Sequence, residues 1–158
     1  MSKQNKTNAM RFLESRSVPY KSYDYTGSGA VSGEEVAEVL GVAPEMCFKT
    51  LVTRGKSGEY YVFDVPVNKE LALKKAAIVV NEKHVEMIKS KDLLPITGYI
   101  HGGCSPVGMK KFFKTVFDDS AKNFPSVYFS GGRIGVFLQV ELADLSKAID
   151  FSFADLTE

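Results

Sequence analysis

The pattern of apolar and polar positions along the 158-residue chain predicts short helices interleaved with strands. Residues 47–54 and 60–66 are rich in β-branched and aromatic residues, and a Gly-Lys-Ser-Gly turn lies between them, so they form the clearest predicted hairpin. Ser32 and Glu35 have the spacing of a capping box. Apolar residues at helical spacing follow, and Gly41 predicts where that helix ends.

The other predicted elements are shorter. Thr7 or Asn8 can cap a first helix that ends before Pro19, and Ser90 can cap a helix that stops near Pro95. Further helices are predicted over residues 71–77 and 142–149. Residues 78–87 fit either the end of a helix or a strand. Further strands are predicted over residues 20–25, 99–101, 115–118, 127–130 and 136–141. Strands in meanders with short helices between them predict an α+β fold.

We therefore expect a flexible N-terminus over residues 1–6 and a single domain over residues 7–158. The domain is predicted to be a curved mixed β-sheet of about six or seven strands with short helices packed around it. A chain of this length is long enough to bury a core of its own.

Composition narrows the classes of function. The chain is 44% hydrophobic and 25% charged, with a net charge of +1, so no strong overall field would draw it to DNA or to an anionic membrane. No apolar run is long enough to cross a membrane or to serve as a signal peptide. The two cysteines, Cys47 and Cys104, make no motif with each other. We expect a cytoplasmic protein that binds neither membrane nor DNA.

Lys49 is the most unusual charge in the chain, because it lies in the otherwise apolar stretch EMCFKTLV, residues 45–52. Burial of an unpaired ammonium group costs several kcal/mol. Two interpretations remain open on the residues alone: a solvent-facing lysine on an edge strand, or a cation kept for function.

Two glycine-rich loops, residues 98–106 and 130–135, are either plain turns or backbone cradles for an anionic group. His101 and Cys104 are too isolated to predict a zinc site, because structural zinc usually takes two close pairs of ligands. On an extended segment they would also face opposite sides, which disfavours a nucleophilic pair. The residues indicate no metal and no cofactor.

Several short motifs occur in an order and spacing that resemble the YbaK/EbsC family of aminoacyl-tRNA deacylases. That family is related to the editing domain of bacterial prolyl-tRNA synthetases. The resemblance extends from about Thr7 to Leu156. The segments that carry it are FKTL at 48–51, DVPV at 64–67, LKK at 73–75, VEM at 85–87, TGYIHGGCSP at 97–106 and VYFSGG at 127–132.

The resemblance implies a role for particular residues. It makes Lys49 the functional lysine, which points into a substrate pocket beside Thr50. It places a Gly-x-x-x-Pro loop opposite that lysine. Tyr25 matches a pocket tyrosine, with Tyr23 as the alternative. The residues implied to contact the substrate are Tyr25, Thr50, Gly102, Ser105, Pro106, Ser130, Gly131 and Gly132.

The resemblance also implies an activity, the cleavage of the ester that joins a wrong amino acid to tRNA. Within the family the chain is most similar to proteins that remove cysteine from tRNA specific for proline. There the substrate's own thiol attacks its ester, and no cofactor is needed. The implied partners are the CCA acceptor end of an aminoacyl-tRNA and, as a candidate, prolyl-tRNA synthetase.

Phe137 departs from the family pattern, because close relatives carry an acidic residue there. This difference leaves open cysteine, alanine or serine as the amino acid removed. A module that binds aminoacyl-tRNA or a synthetase without catalysis is the other open interpretation.

Overall fold

The computed structural model describes residues 6–158. The predicted flexible N-terminus lies outside the described residues except for Lys6, whose ammonium group lies 2.9 Å from the Glu14 carboxylate. The described residues form five α-helices, two short 3₁₀ helices and eight strands, and the α+β prediction is confirmed. The helices are α1 (Asn8–Ser15), α2 (Gly33–Leu40), α3 (Leu73–Val79), α4 (Ser90–Thr97) and α5 (Leu142–Leu145).

The strands lie in two sheets rather than in one. The strands are β1 (Lys21–Asp24), β2 (Phe48–Gly55), β3 (Tyr60–Pro66), β4 (Val85–Met87), β5 (Lys114–Asp118), β6 (Ser126–Ser130), β7 (Val136–Glu141) and β8 (Ser152–Ala154). An antiparallel sheet has the order β1-β7-β6, and a mixed sheet has the order β4-β2-β3-β5-β8. In the mixed sheet β2 pairs antiparallel with β3 and β4, and β5 runs parallel to β3 and β8.

Helix ends follow the local chemistry in most cases. The Thr7 hydroxyl accepts a hydrogen bond from the Met10 N–H and caps α1, and Ser32 and Glu35 form the predicted capping box of α2. Gly41 ends α2 with a φ of 73°, a left-handed conformation that glycine adopts without steric cost.

The structure corrects two predicted helices. The N-cap of α4 is Lys89 and not the predicted Ser90, which is the first residue of the helix. The helix also continues past Pro95 to Thr97, and Gly98 ends it. Proline removes only one backbone donor there, and burial of Leu93 and Thr97 holds the turn in place. The predicted helix over 142–149 is α-helical only in α5, its first four residues.

The strand predicted over 99–101 is wrong. That segment forms a loop, because Gly102 adopts a φ of 87° and the Gly103 N–H donates to the Ile100 carbonyl at 2.9 Å, which closes a turn. The ambiguous segment 78–87 contains both elements, since α3 continues to Val79 and β4 follows. Sequence reasoning missed β8, a three-residue strand at the edge of the mixed sheet.

The largest hydrophobic cluster fills the space between the two sheets. Phe48 and Val52 of β2 face Phe129 of β6 and Leu138 of β7 across it, and Leu13 of α1 closes one side. Leu51, which points to the other face of β2, packs instead on a second cluster with α3. Alternation along β2 thus fixes which of its side chains face the space between the sheets.

One edge of β2 changes partner along its length. Residues Thr53–Gly55 pair with β4, whereas Cys47 forms an isolated parallel bridge with Tyr128 of β6. The Val52 carbonyl accepts a hydrogen bond from the Ile88 N–H, directly after β4, and at residues 48–51 no strand pairs with this edge in the described part of the chain. The two partner strands diverge there and leave a gap in the wall of the fold.

Phe117 packs against two other aromatic rings in the largest hydrophobic cluster, so its truncation should destabilise the fold. It is fully buried on β5, with its ring centroid 5.7 Å from Phe48 and 5.2 Å from Phe151. Phe117→Ala should lower the free energy of unfolding by about 3–5 kcal/mol. Phe112→Ala, at a half-exposed phenylalanine, should change it by less than about 0.5 kcal/mol. Urea unfolding followed by circular dichroism measures both, and equal losses would contradict this packing.

Candidate functional site

A cavity of about 410 Å³ opens at the gap beside β2. Its wall consists of β2, the segment that follows β4, the start of α2, the loop after α4 and the inner face of the antiparallel sheet. This volume is in the range of small-molecule sites. Of the residues predicted to act on the substrate, the cavity is lined by Tyr25, Lys49, Thr50, Gly102 and Ser130.

Lys49 lies on the cavity wall with its side chain about one-third exposed. Its ammonium nitrogen is 3.4 Å from a carboxylate oxygen of Glu70, and the Glu70 side chain is 80% exposed. An ion pair with so exposed a partner is weak and exchanges readily for another anion. The cation is therefore available to a negatively charged group that enters the cavity.

Thr50 follows Lys49 on β2 and points to the opposite face of the strand, the face that carries Phe48 and Val52. Its hydroxyl oxygen is hydrogen-bonded at 2.6 Å to a carboxyl oxygen of Asp64, the residue directly across from it on β3. Burial raises the pKa of Asp64 to about 8, and the hydrogen bond from Thr50 opposes that rise. Asp64 belongs to the DVPV segment that carries the family resemblance, but the sequence indicated no role for it.

The apolar end of the cavity is aromatic. Tyr25, which follows β1, meets Phe137 of β7 edge to face, with ring centroids 5.8 Å apart and an interplanar angle of 88°. Both rings are mostly buried and both line the cavity. Tyr23 does not line it, because its hydroxyl donates to Gln139 and its ring packs on Tyr128. Of the two candidate tyrosines, the structure places Tyr25 at the cavity.

The first glycine-rich loop brings only its middle part to the cavity. His101, Gly102 and Cys104 line it, whereas Ser105 and Pro106 are buried behind it. A Cβ atom on Gly103 would lie 2.9 Å from the Cα of Arg133, so glycine allows the two loops to touch backbone to backbone. Ser105 accepts a long hydrogen bond from the Val107 N–H, a contact within the loop.

The second glycine-rich loop is tied to the start of the first helix. Ser130 lines the cavity and accepts a hydrogen bond from the Gly132 N–H at 3.2 Å. Gly131 and Gly132 lie outside the lining. The Thr7 hydroxyl donates to the Gly131 carbonyl, and a Cβ atom on Gly132 would lie 3.1 Å from the Tyr99 ring. The direct contacts of these two glycines are thus with other parts of the fold.

Neither cysteine is an activated nucleophile. Burial raises the pKa of both Cys47 and Cys104 to about 12, so both remain thiols at neutral pH. Within residues 6–158 no group of three or more His, Cys, Asp or Glu side chains is placed to hold a metal ion. Over the same residues, no helix has the length and apolar character needed to cross a membrane.

The cavity also contains residues for which sequence reasoning gave no signal. The start of α2 contributes Val31 and Ser32, and the segment after β4 contributes Ile88 and Lys89. These segments are distant in sequence from β2 and reach it only through the fold. Lys89 adds a second lysine to the lining of the cavity.

Comparison with known proteins gives the family. Residues 28–148 match the family model described as the aminoacyl-tRNA editing domain. A protein of Enterococcus faecalis named "Putative Cys-tRNA(Pro)/Cys-tRNA(Cys) deacylase EbsC" is 45% identical over 157 residues, which cover 98% of this chain and 94% of that protein. The resemblance to YbaK/EbsC proteins is therefore confirmed.

Solved structures agree in fold. One described as a "putative trans-editing enzyme for prolyl tRNA synthetase" is 25% identical, covers 96% of this chain and 95% of its own, and superposes with a TM-score of 0.86. The structure of hypothetical protein APE2540 has the same TM-score at 23% identity and covers 96% of this chain and 99% of its own. The chain belongs to the aminoacyl-tRNA editing domain family.

Proposed function

We propose that this protein is a deacylase that cleaves the ester of a mischarged aminoacyl-tRNA, with cysteinyl-tRNA for proline as its main substrate. The observation that carries the proposal is the cavity beside β2, which combines the Lys49 cation with the Thr50 hydroxyl in a chain of the editing family. The Enterococcus faecalis relative, named for deacylation of cysteinyl-tRNA, supports the choice of substrate.

The groups on the wall suit an ester that gains negative charge during cleavage. The Lys49 ammonium attracts an oxyanion or a nearby phosphate more strongly in a partly dry cavity than in water. The Val67 N–H donates to the Cys47 carbonyl, so Cys47 and every second residue after it direct their backbone groups toward β3. The residues between them, including Thr50, direct their backbone groups away from β3 and toward the gap. Backbone and side chain of Thr50 thus both supply polar groups to the site.

The aromatic wall favours a small, uncharged amino-acid side chain. Phe137 and Tyr25 offer no charged partner to a larger polar substituent. For a cysteinyl ester, the substrate sulfur forms a bond to its own carbonyl carbon, and the bond to the ribose oxygen breaks. The thiol proton ends on that oxygen, so a cyclic thioester and an uncharged tRNA are released. Orientation in a confined cavity contributes about 7 kcal/mol or more to such an intramolecular step.

The protein's own contact with tRNA is proposed to be limited to the CCA acceptor end. Its net charge of +1 provides no large basic surface for the body of a tRNA. Recognition of the tRNA body then falls to a partner, for which prolyl-tRNA synthetase is our candidate. We propose a cytoplasmic location, because the proposed substrate and partner both belong to translation.

A panel of substrates tests the proposal. Purified protein is incubated with cysteinyl-, alanyl- and seryl-tRNA for proline, and ester loss is followed with and without prolyl-tRNA synthetase. We expect cysteinyl-tRNA to be cleaved fastest. Tight binding of these substrates without ester loss would instead indicate a binding module without catalysis, and fastest loss of the alanyl ester would change the substrate.

Lys49→Ala should reduce deacylation at least about a hundredfold, because the cation that stabilises the developing oxyanion is lost. The fold should survive, since the Lys49 side chain is partly exposed. Lys122→Ala, at an exposed lysine that pairs with Asp119, is the matched control and should keep full activity. Single-turnover rates with cysteinyl-tRNA measure both. A folded Lys49→Ala protein with full turnover would contradict the proposed role.

The cysteines give a third test of mechanism. A Cys47→Ala, Cys104→Ala double variant should keep most of its activity on cysteinyl-tRNA, because the reacting thiol belongs to the substrate. A substrate whose thiol is replaced by a methyl group should react far more slowly with the unaltered protein. An inactive but folded double variant together with rapid cleavage of the alanyl ester would point to covalent catalysis by a protein thiol.

A further inference from the structure

The carboxyl group of Asp64 is buried behind the wall of the cavity. It is fully buried, with one oxygen 2.6 Å from the Thr50 hydroxyl. The other oxygen, Oδ2, is buried and has no hydrogen-bond partner among the described residues. Buried polar atoms are nearly always paired, so an unpaired one at this position calls for a physical reason.

The strand register places the acid directly beside Thr50. The two residues are directly opposite in the β2–β3 pair. Their backbone groups point away from each other, and this is the type of antiparallel pair in which side chains approach most closely. Thr50 lines the cavity, whereas Asp64 does not. The hydrogen bond to the Thr50 hydroxyl therefore connects the buried acid to the cavity.

Two arrangements of protons fit an oxygen–oxygen distance of 2.6 Å. If Asp64 is ionised, it accepts the Thr50 hydroxyl proton, and only lone pairs of Thr50 face the cavity. If Asp64 is neutral, it donates its own proton to the Thr50 oxygen. The hydroxyl proton of Thr50 is then released and can be donated to another acceptor.

We propose that Asp64 is a positioning residue whose neutral carboxyl group donates to Thr50, so that the Thr50 hydroxyl donates into the cavity to the carbonyl oxygen of the ester. Negative charge develops on that oxygen during cleavage, and a donor already oriented toward it stabilises the transition state. The inference rests on the proposed deacylase function, since it assigns a role within that site.

The environment of Asp64 favours the neutral form at pH 7, because burial raises its pKa to about 8. The titratable group that interacts with it is the Cys104 thiol, whose pKa of about 12 keeps that group neutral in the relevant range. Its neighbour on β5, Phe117, is uncharged, and the Lys49 ammonium lies on the other face of β2, at Glu70. As the pH rises through 8, the acid ionises and Thr50 loses its orientation toward the cavity.

Asp64→Asn is the central variant, because its amide is neutral at every pH and keeps a donor for the Thr50 oxygen. Single-turnover rates with cysteinyl-tRNA are measured from pH 6.5 to 9, after subtraction of uncatalysed ester loss. The ratio of the unaltered protein's rate to the variant's rate removes the titration of the substrate thiol, which both share. This ratio should be constant below pH 7 and fall about tenfold by pH 9, where about a tenth of the acid stays neutral.

Two further variants separate positioning from simple stability. Thr50→Val should lower the rate about a hundredfold and should abolish the effect of Asp64→Asn on the pH profile. Asp118→Asn is the matched control at a buried aspartate that does not line the cavity and whose carboxylate accepts from the Ser120 and Leu156 N–H groups. It should lower the melting temperature and leave the pH profile unchanged.

The outcomes distinguish this inference from the function on which it rests. Active unaltered protein with a flat ratio overturns the role of Asp64 alone. Failure of the unaltered protein to cleave any tested ester overturns the deacylase proposal and this inference with it. If Asp64→Asn does not fold, the rate of the unaltered protein relative to Thr50→Val must show the same fall between pH 7 and 9, and a constant value would overturn the inference.

Discussion

The divergence of two strands from one edge of β2 is the constraint on which the rest of the structure depends. β6 pairs with that edge at Cys47, and β4 and the Ile88 N–H after it pair with that edge from Val52 onward, so the four residues 48–51 have no strand paired on that side among the described residues. A fully paired β2 would close the wall and leave no cavity. The gap makes backbone and side chains of β2 accessible without removing the strand from the core, because its other edge stays paired with β3.

This arrangement reconciles two opposing demands on β2. Phe48 and Val52 are buried in the core between the sheets, while the Lys49 side chain stays about one-third exposed. Alternation along the strand resolves the conflict, because successive side chains point to opposite faces. The lysine reaches the mouth of the cavity from one face, and the threonine reaches its wall from the other.

Local patterns in the sequence predicted elements where local chemistry decides the structure. The hairpin of β2 and β3 and the capping box of α2 follow from residues a few positions apart. The loop at 99–101 and β8 could not be predicted in the same way, because a glycine turn and a sheet edge decided them. The shape of the cavity is likewise a tertiary property: α2 and the segment after β4 meet β2 only in the folded chain. Resemblance to a family pointed to Lys49 and Thr50, but the partnership of Thr50 with Asp64 required the register of two strands.

The bond from the Thr7 hydroxyl to the Gly131 carbonyl has a consequence for the order in which the molecule forms. The two residues are 124 positions apart, so this contact closes a long loop, and closure costs chain entropy before the contact can stabilise the fold. During synthesis, the residue that caps the first helix emerges long before its partner, and the second loop is not anchored until most of the chain has been made. Thr7 also lies outside the segment that matches the family model, residues 28–148. A fragment trimmed to that segment would keep the lysine and the threonine but lose the anchor of the glycine loop beside them.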